Sequence, residues 1–484
     1  MAAASARVGD HIAPLSVPRH RPVPVVTLLF FGDLLAITAA LLLACGIRSL
    51  FGPLDLARHL PLLPALFLFI LGFLYAGLYP GYGLGPVEEL RRANRTTALV
   101  SLLLLASTFL FRSGQEISRV VIIIGWVLAL FAVPLVRAAL RALFAGRSWW
   151  GQPVLILGAA KTADVVIRRL KGNPGLGLRP VCCLDDDPAK VGRSFRGVPV
   201  AGPLSLAPDL AKAHGIQTAI IAMPGLRRER LTQVVEEYGA VFPQVIVVPD
   251  LLGLTSLWVT ARDIQGVLGL QLQQNLLSTW SRFLKRTLDL AVAVPALVIA
   301  GPVILLLGWL VKLNSPGPAF YSQEREGLDG KRIRVWKLRT MVPDAEKVLH
   351  SYLAENPEAK QEWDQYMKLR NDPRIVPMVG HLLRRLSLDE LPQLWNIALG
   401  EMSLVGPRPF PDYHLNRFTP AFRALRCRVV PGLTGLWQVS ARSDGDLAIQ
   451  EELDTYYIRN WSLWMDVYLL ARTVTAVLFG KGAY

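Results

Sequence analysis

The segment HLLRRLSLDELPQLWNIALGEMSLVGPRPFPDYH, residues 381–414, combines paired arginines, an adjacent pair of acids and a proline-rich turn. Ser387 followed three residues later by Glu390 has the form of a capping box, which predicts that Asp389 and Glu390 lie in the first turn of a helix. Backbone N–H groups and the helix dipole favour anions at that end, so the same turn suits a phosphate. The alternative is a solvated helix start, in which the arginines merely offset the two acids.

The composition indicates a membrane protein. Of 484 residues, 52% are hydrophobic and only 18% are charged, which is too apolar for an ordinary soluble protein. The net charge of +15 comes from basic residues spread beside apolar segments, a pattern that favours anionic lipids and phosphorylated substrates over nucleic acid. The four cysteines show neither zinc spacing nor a disulfide framework, which fits a largely cytosolic protein.

Four apolar runs fill the first third of the chain and predict a bundle of four membrane-spanning helices. Arginines are more frequent before the first run, between the second and third, and after the fourth than in the alternate loops, so both ends of the bundle are expected in the cytoplasm. Asp33 lies inside the first run and has either a functional or a helix-packing role. The runs are 25–47, 60–79, 96–111 and 120–136.

Beyond residue 147 the composition becomes soluble, and four short apolar runs predict a doubly wound, Rossmann-like α/β domain. Acids at 185–187 follow the second strand and raise the hypothesis of dinucleotide-dependent redox chemistry. The loop after Gly158 lacks two of the three fingerprint glycines, so a spacer or regulatory module is the favoured interpretation. The predicted strands are 154–158, 180–184, 218–223 and 244–249.

The apolar run 283–313 is long enough to cross a bilayer but contains residues that interrupt helices. Pro295 and the pair Gly301-Pro302 predict a helix break, and basic residues flank both ends of the run. We therefore expect a broken, re-entrant helix that enters and leaves on the cytoplasmic face. The alternative, a simple further span, would place the acid pair outside the cell.

Two later segments carry groups suited to phosphates or nucleotides. Lys337 and Arg339 are two residues apart on a predicted strand and therefore share one face, which suits a phosphate; an exposed basic face is the alternative. Gly432 and Gly435 allow a tight loop whose backbone amides can approach a nucleotide. Trp461 is expected either at the membrane interface or in the core.

The motif R-x-x-S-L-D-E-L-P-Q-L-x-N followed by M-S-x-V-G-P-R-P, present from Arg384 to Pro409, resembles the signature of the bacterial polyprenyl-phosphate hexose-1-phosphate transferases. These monotopic phosphoglycosyl transferases start the synthesis of surface polysaccharides. S-P-G-P from Ser315, K-x-R-T-M from Lys337 and the block 429–439 also match that family. Relatives usually have Ser-Pro where this chain has Gly301-Pro302. The missing serine hydroxyl bears on how the backbone carbonyls at the kink obtain hydrogen bonds.

The resemblance implies roles for individual residues. Asp389 would be the nucleophile and Glu390 its acidic partner, with Mg²⁺ held by the two together. Arginine and lysine side chains would bind the substrate phosphates, and further residues would contact the nucleotide. The phosphate-binding set is Arg384, Lys337, Arg339 and Arg408; the nucleotide-binding set is Pro407, Pro409, Gly432, Gly435 and Arg442; Asp454 is a third acid.

The resemblance also implies a reaction. A hexose 1-phosphate would pass from a UDP-sugar to undecaprenyl phosphate through a phosphosugar-aspartate, releasing UMP at the cytoplasmic side of the bacterial inner membrane. The sequence of the connector, residues 251–277, resembles that of the galactose-transferring subgroup, which favours galactose as the sugar. UDP-glucose or another UDP-hexose is the alternative donor. The protein is either a monomer or a homodimer. A membrane-bound dinucleotide oxidoreductase and a non-catalytic scaffold for polysaccharide assembly are the remaining hypotheses.

The predicted fold is thus a membrane protein of several parts. A four-helix transmembrane bundle occupies 1–147, and a Rossmann-like α/β domain occupies 148–250. A connector follows at 251–280. Residues 281–484 form the re-entrant membrane helix and a mixed α/β, mostly helical catalytic domain.

Overall fold

The computed structural model describes residues 23–55, 57–59, 62–110, 118–248, 259–264, 267–272, 276, 278–366, 369, 371–440 and 447–478. The candidate nucleotide-binding residue Arg442 lies outside these ranges. The chain divides into two compact units, Met1–Leu252 and Gly253–Tyr484, and each is described by itself.

The first unit begins with helices whose outward faces are apolar. Large side chains such as those of Leu35, Leu71 and Phe131 are exposed on them, as expected of surfaces that face lipid. Helix α1 packs along α4, and α3 packs against both α2 and α4. These helices are α1 (Val23–Ser49), α2 (Leu62–Tyr75), α3 (Pro86–Leu110) and α4 (Arg119–Phe144).

The second predicted span is shorter than expected. Helices α1, α3 and α4 are long and apolar enough to cross a membrane. Helix α2 has 14 residues, about 21 Å, against a hydrocarbon core of about 30 Å. The prediction of a helix over 60–79 extended too far, because Gly77 adopts a left-handed conformation (φ 69°) that stops helices. A fourth helix of spanning length in the described part of the chain is Thr279–Asn314, in the second unit.

Asp33 takes the helix-packing role. It is fully buried and forms an ion pair with Arg137 of α4. The hydroxyl of Tyr79 also donates a hydrogen bond to it. Asp33 therefore joins α1 to α4 and to the segment after α2.

The α/β part of the first unit confirms the predicted parallel sheet. Its strand order is β3-β4-β2-β1-β5-β6, parallel throughout except for the short edge strand β3. Strands β1 and β5 are buried on both faces, which explains their unbroken apolar sequences. The elements are β1 (Gln152–Leu157), α5 (Lys161–Gly172), β2 (Leu178–Leu184), β3 (Ser194–Phe195), β4 (Val198–Gly202), α6 (Ala207–His214), β5 (Thr218–Ile221), α7 (Arg228–Gly239) and β6 (Gln244–Val247).

The second unit starts with a hairpin and one long helix and continues with short elements. The long helix α8 is followed by an antiparallel pair, β9 and β10, and a parallel pair, β11 and β12. The remaining helices are short and surround these pairs. The elements are β7 (Val259–Ile264), β8 (Val267–Leu272), α8 (Thr279–Asn314), β9 (Phe320–Glu326), β10 (Arg332–Leu338), α9 (Ala345–Glu355), α10 (Pro357–Tyr366), α11 (Val379–Arg385), α12 (Gln393–Leu399), β11 (Ser403–Val405), α13 (Asp412–Leu415), α14 (Pro420–Arg426), β12 (Gly432–Thr434), α15 (Leu436–Ser440), α16 (Leu447–Asn460) and α17 (Leu463–Leu478).

Helix α8 is continuous through the predicted break. Its 36 residues include Pro295, Gly301 and Pro302, so the expected interruption is not seen as a loss of helical structure. A proline inside a helix removes one hydrogen bond and bends the axis, and it does not have to end the helix. Residues near both ends of α8 contact the same unit: Lys285 donates to the carbonyl of Val405 at 2.8 Å, and Val311 belongs to a core cluster with Leu338 and Leu383.

Candidate active site

The acid pair lies on a single turn of 3₁₀ helix, Leu388–Glu390, between α11 and α12. Ser387 precedes this turn in the left-handed region (φ 54°), and its side chain makes no capping hydrogen bond. The hydrogen bond of the predicted capping box is therefore missing, but the predicted position of Asp389 and Glu390 in the first turn of a helix is confirmed, and that helix is a 3₁₀ turn. A left-handed conformation is unfavourable for serine, and such strain is concentrated at functional sites.

Glu390 is held by two cations. Lys337 Nζ donates to its Oε1 at 2.7 Å, and Arg408 Nη2 donates to the same oxygen at 2.6 Å. Burial alone would raise the pKa of Glu390, but Arg408 and Lys337 outweigh burial and hold the pKa well below its usual range. Glu390 is therefore ionised, and its Oε2 makes no hydrogen bond within the described part of the chain.

Asp389 differs from its neighbour. Its side chain is buried, with 8% of the residue exposed, and its carboxylate accepts no hydrogen bond from any described residue. Burial raises the pKa of Asp389, and Lys337 opposes this while the charge of Glu390 adds to it. A carboxylate that is poorly solvated and has free lone pairs is suited to nucleophilic attack.

Arg384 and Arg339 have different environments. Arg384 lies close enough to help lower the pKa of Asp389, as expected of a phosphate-binding residue beside the acids. Arg339 instead donates to the carbonyls of Ser315, at 2.8 Å, and Pro316. Strand β10 ends at Leu338, so the alternation that would align residue 339 with Lys337 does not continue. The described contacts of Arg339 are with this loop and not with the acid pair.

The turn that carries Arg408 is held by its backbone. The N–H of Gly406 donates to Thr434 at 2.8 Å, and the N–H of Gly432 donates to the carbonyl of Pro407 at 2.9 Å. A Cβ at Gly432 would lie 2.0 Å from the nitrogen of Gly406, and one at Gly435 would lie 2.4 Å from its oxygen. These glycines permit close contact with the 406–407 backbone, and Gly432 also lines a cavity beside Arg408, so the predicted nucleotide contact stays a prediction.

A cavity of about 50 Å³ is lined by Lys337 and Arg408, the two cations that hold Glu390. Three of its lining side chains are cationic, and Gln393 supplies an amide that is 3% exposed. Arg325 and Gln393 were not anticipated from the sequence. The available signal was the alternation of Gln323 and Arg325 on β9, which places both on one face. The lining residues are Arg325, Val335, Lys337, Gln393, Arg408, Pro409, Phe410, Gly432 and Leu433.

Asp454 lies apart from the acid pair. It is 3% exposed on α16, and its Oδ2 is buried without a hydrogen bond within the described residues. Burial raises the pKa of Asp454 to about 7, opposed by the charge of Arg426. Arg426 donates from Nη2 to the carbonyl of Arg408. Asp454 is thus linked to the site through Arg426 and Arg408.

The acid pair fits a magnesium ion. Among the residues that the structure describes, no cluster of three or more His, Cys, Asp or Glu side chains is present. Mg²⁺ is commonly held by one or two carboxylates while substrate phosphates and water complete its shell. The carboxylate of Asp389 and Oε2 of Glu390 accept no hydrogen bond in the part of the chain that the structure describes, and they offer oxygen ligands of that type. They are the residues that would hold the ion.

Side chains at the carboxyl edge of the parallel sheet contact other residues of the same domain. Asp185 accepts a hydrogen bond from the N–H of Ala159 at 2.7 Å and pairs with Lys190 at 2.9 Å. A Cβ at Gly158 would lie 2.4 Å from Cγ of Met223. The acid that a dinucleotide-binding domain offers to a ribose is therefore engaged within the protein.

Trp461 lies in the core. It is 3% exposed, and its Nε1 donates to Asp466 at 3.0 Å. Asp466 also pairs with Lys285 of α8 at 2.7 Å. Trp461 therefore helps to attach α17 to the start of the membrane helix.

Comparisons with known proteins identify related families and relatives. The profile of a family described as bacterial sugar transferase matches residues 280–480, and one described as a CoA-binding domain matches residues 76–249. The chain is 34% identical to the UDP-galactose-lipid carrier transferase of Erwinia amylovora, over 82% of each chain. It is also 34% identical to the undecaprenyl-phosphate galactose phosphotransferase of Salmonella typhimurium, again over 82% of each. Identity to the UDP-glucose:undecaprenyl-phosphate glucose-1-phosphate transferase of Escherichia coli is 33%, over 68% of each chain.

Proposed function

The chain belongs to the bacterial sugar transferase family, and we propose that it transfers a hexose 1-phosphate from a UDP-sugar to undecaprenyl phosphate, releasing UMP. The observation that carries this proposal is the contrast within the acid pair. Asp389 is buried and accepts no hydrogen bond from the described residues, whereas Lys337 and Arg408 both donate to Glu390. One acid is thus available for attack beside a fixed array of positive charge.

The proposed sugar is galactose. The two relatives matched over 82% of their length are both named for galactose transfer, while the glucose transferase is matched over 68%. UDP-glucose is the second candidate because that relative is almost equally identical.

The proposed chemistry has two displacements at phosphorus. A carboxylate oxygen of Asp389 attacks the phosphorus that bears the sugar, a phosphosugar-aspartate forms, and UMP leaves with the electrons of the cleaved P–O bond. An oxygen of undecaprenyl phosphate then attacks the same phosphorus and releases the aspartate. The polyprenyl diphosphate sugar is the product, and the carboxylate is regenerated.

The surrounding side chains hold charge in place during both steps. Lys337 and Arg408 fix Glu390 and present remaining N–H groups to phosphate oxygens. Arg384, whose charge lowers the pKa of Asp389, would bind the phosphoryl group. Mg²⁺ on Asp389 and Glu390 would neutralise charge on the leaving phosphate. Glu390 would keep its orientation through its two cations.

The proposed membrane arrangement keeps the site on the cytoplasmic side. The residues from Lys285 to Val311 extend about 39 Å along α8, more than the hydrocarbon thickness of about 30 Å. Both ends nevertheless contact the same unit. A straight span would separate those ends by the bilayer, so a helix that bends near Pro295 and Pro302 and returns fits these contacts better.

The reaction is tested with membranes that contain the full chain. They are incubated with undecaprenyl phosphate and labelled UDP-galactose or UDP-glucose, with Mg²⁺ or with a chelator, and UMP and labelled lipid are followed. We expect both products with UDP-galactose, and labelled protein when the lipid is omitted. A requirement for both substrates before any UMP appears would refute the covalent step. Turnover of a nicotinamide would support an oxidoreductase, and no reaction at all would support a scaffold.

The arrangement of α8 is tested by cysteine labelling. Because the chain has four native cysteines, they are first replaced, and single cysteines are introduced at the exposed positions Arg282 and Lys312. Both should react with an impermeant thiol reagent only when the cytoplasmic face is accessible. Labelling from opposite faces would exclude the re-entrant arrangement while leaving the chemistry intact.

A further inference from the structure

Arg325 lies on the face of the β9–β10 pair that faces the cavity. In the antiparallel register Arg325 is opposite Ile333, and Gln323 is opposite Val335. Residues directly opposite each other share a face, and residues two apart on a strand do so as well. Arg325 is therefore on the same face as Lys337, and both line the cavity beside the acid pair.

The charge of Arg325 has no carboxylate partner. Its Nη2 donates to Oε1 of Gln323 at 2.6 Å, and it forms no ion pair with any described acid. Burial lowers the pKa of Arg325, and nearby Arg408 lowers it further. Holding a half-buried guanidinium beside a second cation is unfavourable unless an anion is also bound.

The cavity as a whole carries excess positive charge. Lys337 and Arg408 both donate to one oxygen of Glu390, whereas Arg325 makes no hydrogen bond to that carboxylate within the described residues and interacts with its charge only at longer range. Gln393 adds an amide to the same wall. At about 50 Å³ the cavity exceeds the roughly 10–15 Å³ that one water needs by this measure. A compact anion with several acceptor oxygens matches this lining.

We propose that Arg325 binds a phosphate group of a substrate in this cavity, which adds a binding residue to the reaction proposed above and rests on it. The planar guanidinium can donate two parallel hydrogen bonds to a phosphate, while Gln323 holds it from the side. Two substrates contain such a group, the diphosphate of the UDP-sugar and the phosphate of the lipid. The two half-reactions distinguish them.

The test uses the full chain in lipid nanodiscs with Arg325→Gln and Arg325→Lys. The matched control is Arg334→Gln, an exposed arginine on the neighbouring strand whose side chain lies on the opposite face. Equilibrium binding of inorganic pyrophosphate is measured first, because it does not depend on turnover. We expect Arg325→Gln to weaken binding roughly 10- to 100-fold. Arg325→Lys should fall between, and the control should match wild type.

The half-reactions then assign the phosphate. If Arg325 binds the donor, Arg325→Gln raises the UDP-sugar concentration needed for labelling by a similar factor and leaves the lipid dependence of the second step unchanged. The reverse pattern supports the lipid phosphate. Either pattern supports a phosphate-binding role.

Two results would overturn the proposal. The first is that Arg325→Gln and Arg325→Lys bind pyrophosphate as tightly as wild type, while their unfolding midpoints are unchanged. The other is wild-type protein that binds no pyrophosphate. Failure of UDP-sugars to label wild type would instead refute the proposed transfer, and the pyrophosphate measurement would still decide the role of Arg325.

Discussion

Two buried clusters of charged side chains, one in the helical bundle and one at the acid pair, differ in how completely their charges are compensated. In the bundle, Arg137 donates to both oxygens of Asp33, at 2.8 and 2.5 Å, and to Glu89 at 3.0 Å. Arg141 donates to both oxygens of Glu89, at 2.7 and 2.8 Å. Two acids and two arginines therefore neutralise each other, with every carboxylate oxygen engaged.

The cluster at the acid pair leaves groups free. One oxygen of Glu390 accepts from both cations, and Asp389 accepts no hydrogen bond from a described residue. Arg325 forms no ion pair with any acid that the structure describes. A cluster that only stabilises a fold is expected to satisfy its members, because each unpaired buried charge is costly. Unpaired groups gathered at one place therefore indicate that a ligand completes the cluster.

Asp389→Asn should have the largest effect on activity. An amide is a poor nucleophile, so we expect turnover and labelling by UDP-sugar to fall roughly 10³-fold or more. The unfolding midpoint should stay level or rise, because a buried charge without a hydrogen bond is removed. Activity is measured per folded molecule in detergent. Asp33→Asn serves as the control and should show the opposite pattern, and equal activity losses in both variants would abolish the distinction between the clusters.

Arg137→Met should have the largest effect on stability. It leaves Asp33 without its arginine and deprives Glu89 of one of two, and breaking such a buried pair costs about 3–5 kcal/mol. Chemical unfolding in detergent measures this loss. Arg408→Met is the comparison, since Glu390 keeps Lys337 and the cost in stability should be smaller while activity falls. A larger stability loss for Arg408→Met would contradict the assignment of the two clusters.

Asp454 provides a third test, because it is a buried acid outside both clusters whose protonation state can be measured. Its pKa is raised to about 7 in the folded protein, above the unfolded value of about 3.9. The folded state therefore binds an extra proton between these values, and stability should rise as pH falls from 7 to 4, by up to about 1.4 kcal/mol per pH unit. Asp454→Asn should remove that part of the pH dependence. An identical slope in the variant would show that Asp454 is already ionised.

Local patterns predicted the parts of this molecule that depend on neighbours in sequence. The four strands of the parallel sheet were found because each is a short apolar run buried on both faces. The acid pair was found because Asp389 and Glu390 are adjacent and lie in a long motif. The extent of α2 was overestimated because apolar character continues to Tyr79, past the left-handed Gly77 that ends the helix.

Tertiary contacts decided the rest. The contacts of Arg339 with the Ser315 and Pro316 carbonyls could not be predicted, because they depend on β10 ending one residue before it; its phosphate-binding role stays a prediction. The contact of Gly432 with Gly406 could not be predicted, because Gly406 belongs to a distant segment of the sequence. Arg325 was missed because its position beside Lys337 depends on the register of two strands, which composition does not encode.

Arg426→Lys should have the smallest effect of these changes and should locate the edge of the site cluster. Arg426 donates to the carbonyl of Arg408 and lies 4.8 Å from the centre of the Phe410 ring, so it positions the turn without facing the acids. Lysine keeps the positive charge beside Asp454 but loses the guanidinium geometry. Loss of one hydrogen bond, about 1 kcal/mol, corresponds to a roughly fivefold decrease in kcat/KM. The decrease should appear in kcat with little change in the donor KM, because Arg408 is displaced from Glu390 and no substrate contact is removed.

Arg423→Lys on the same helix is the control, since Arg423 pairs with Glu326 at 2.7 Å. Equal effects of the two substitutions would assign Arg426 to the stability of α14 alone and would end the site cluster at Arg408.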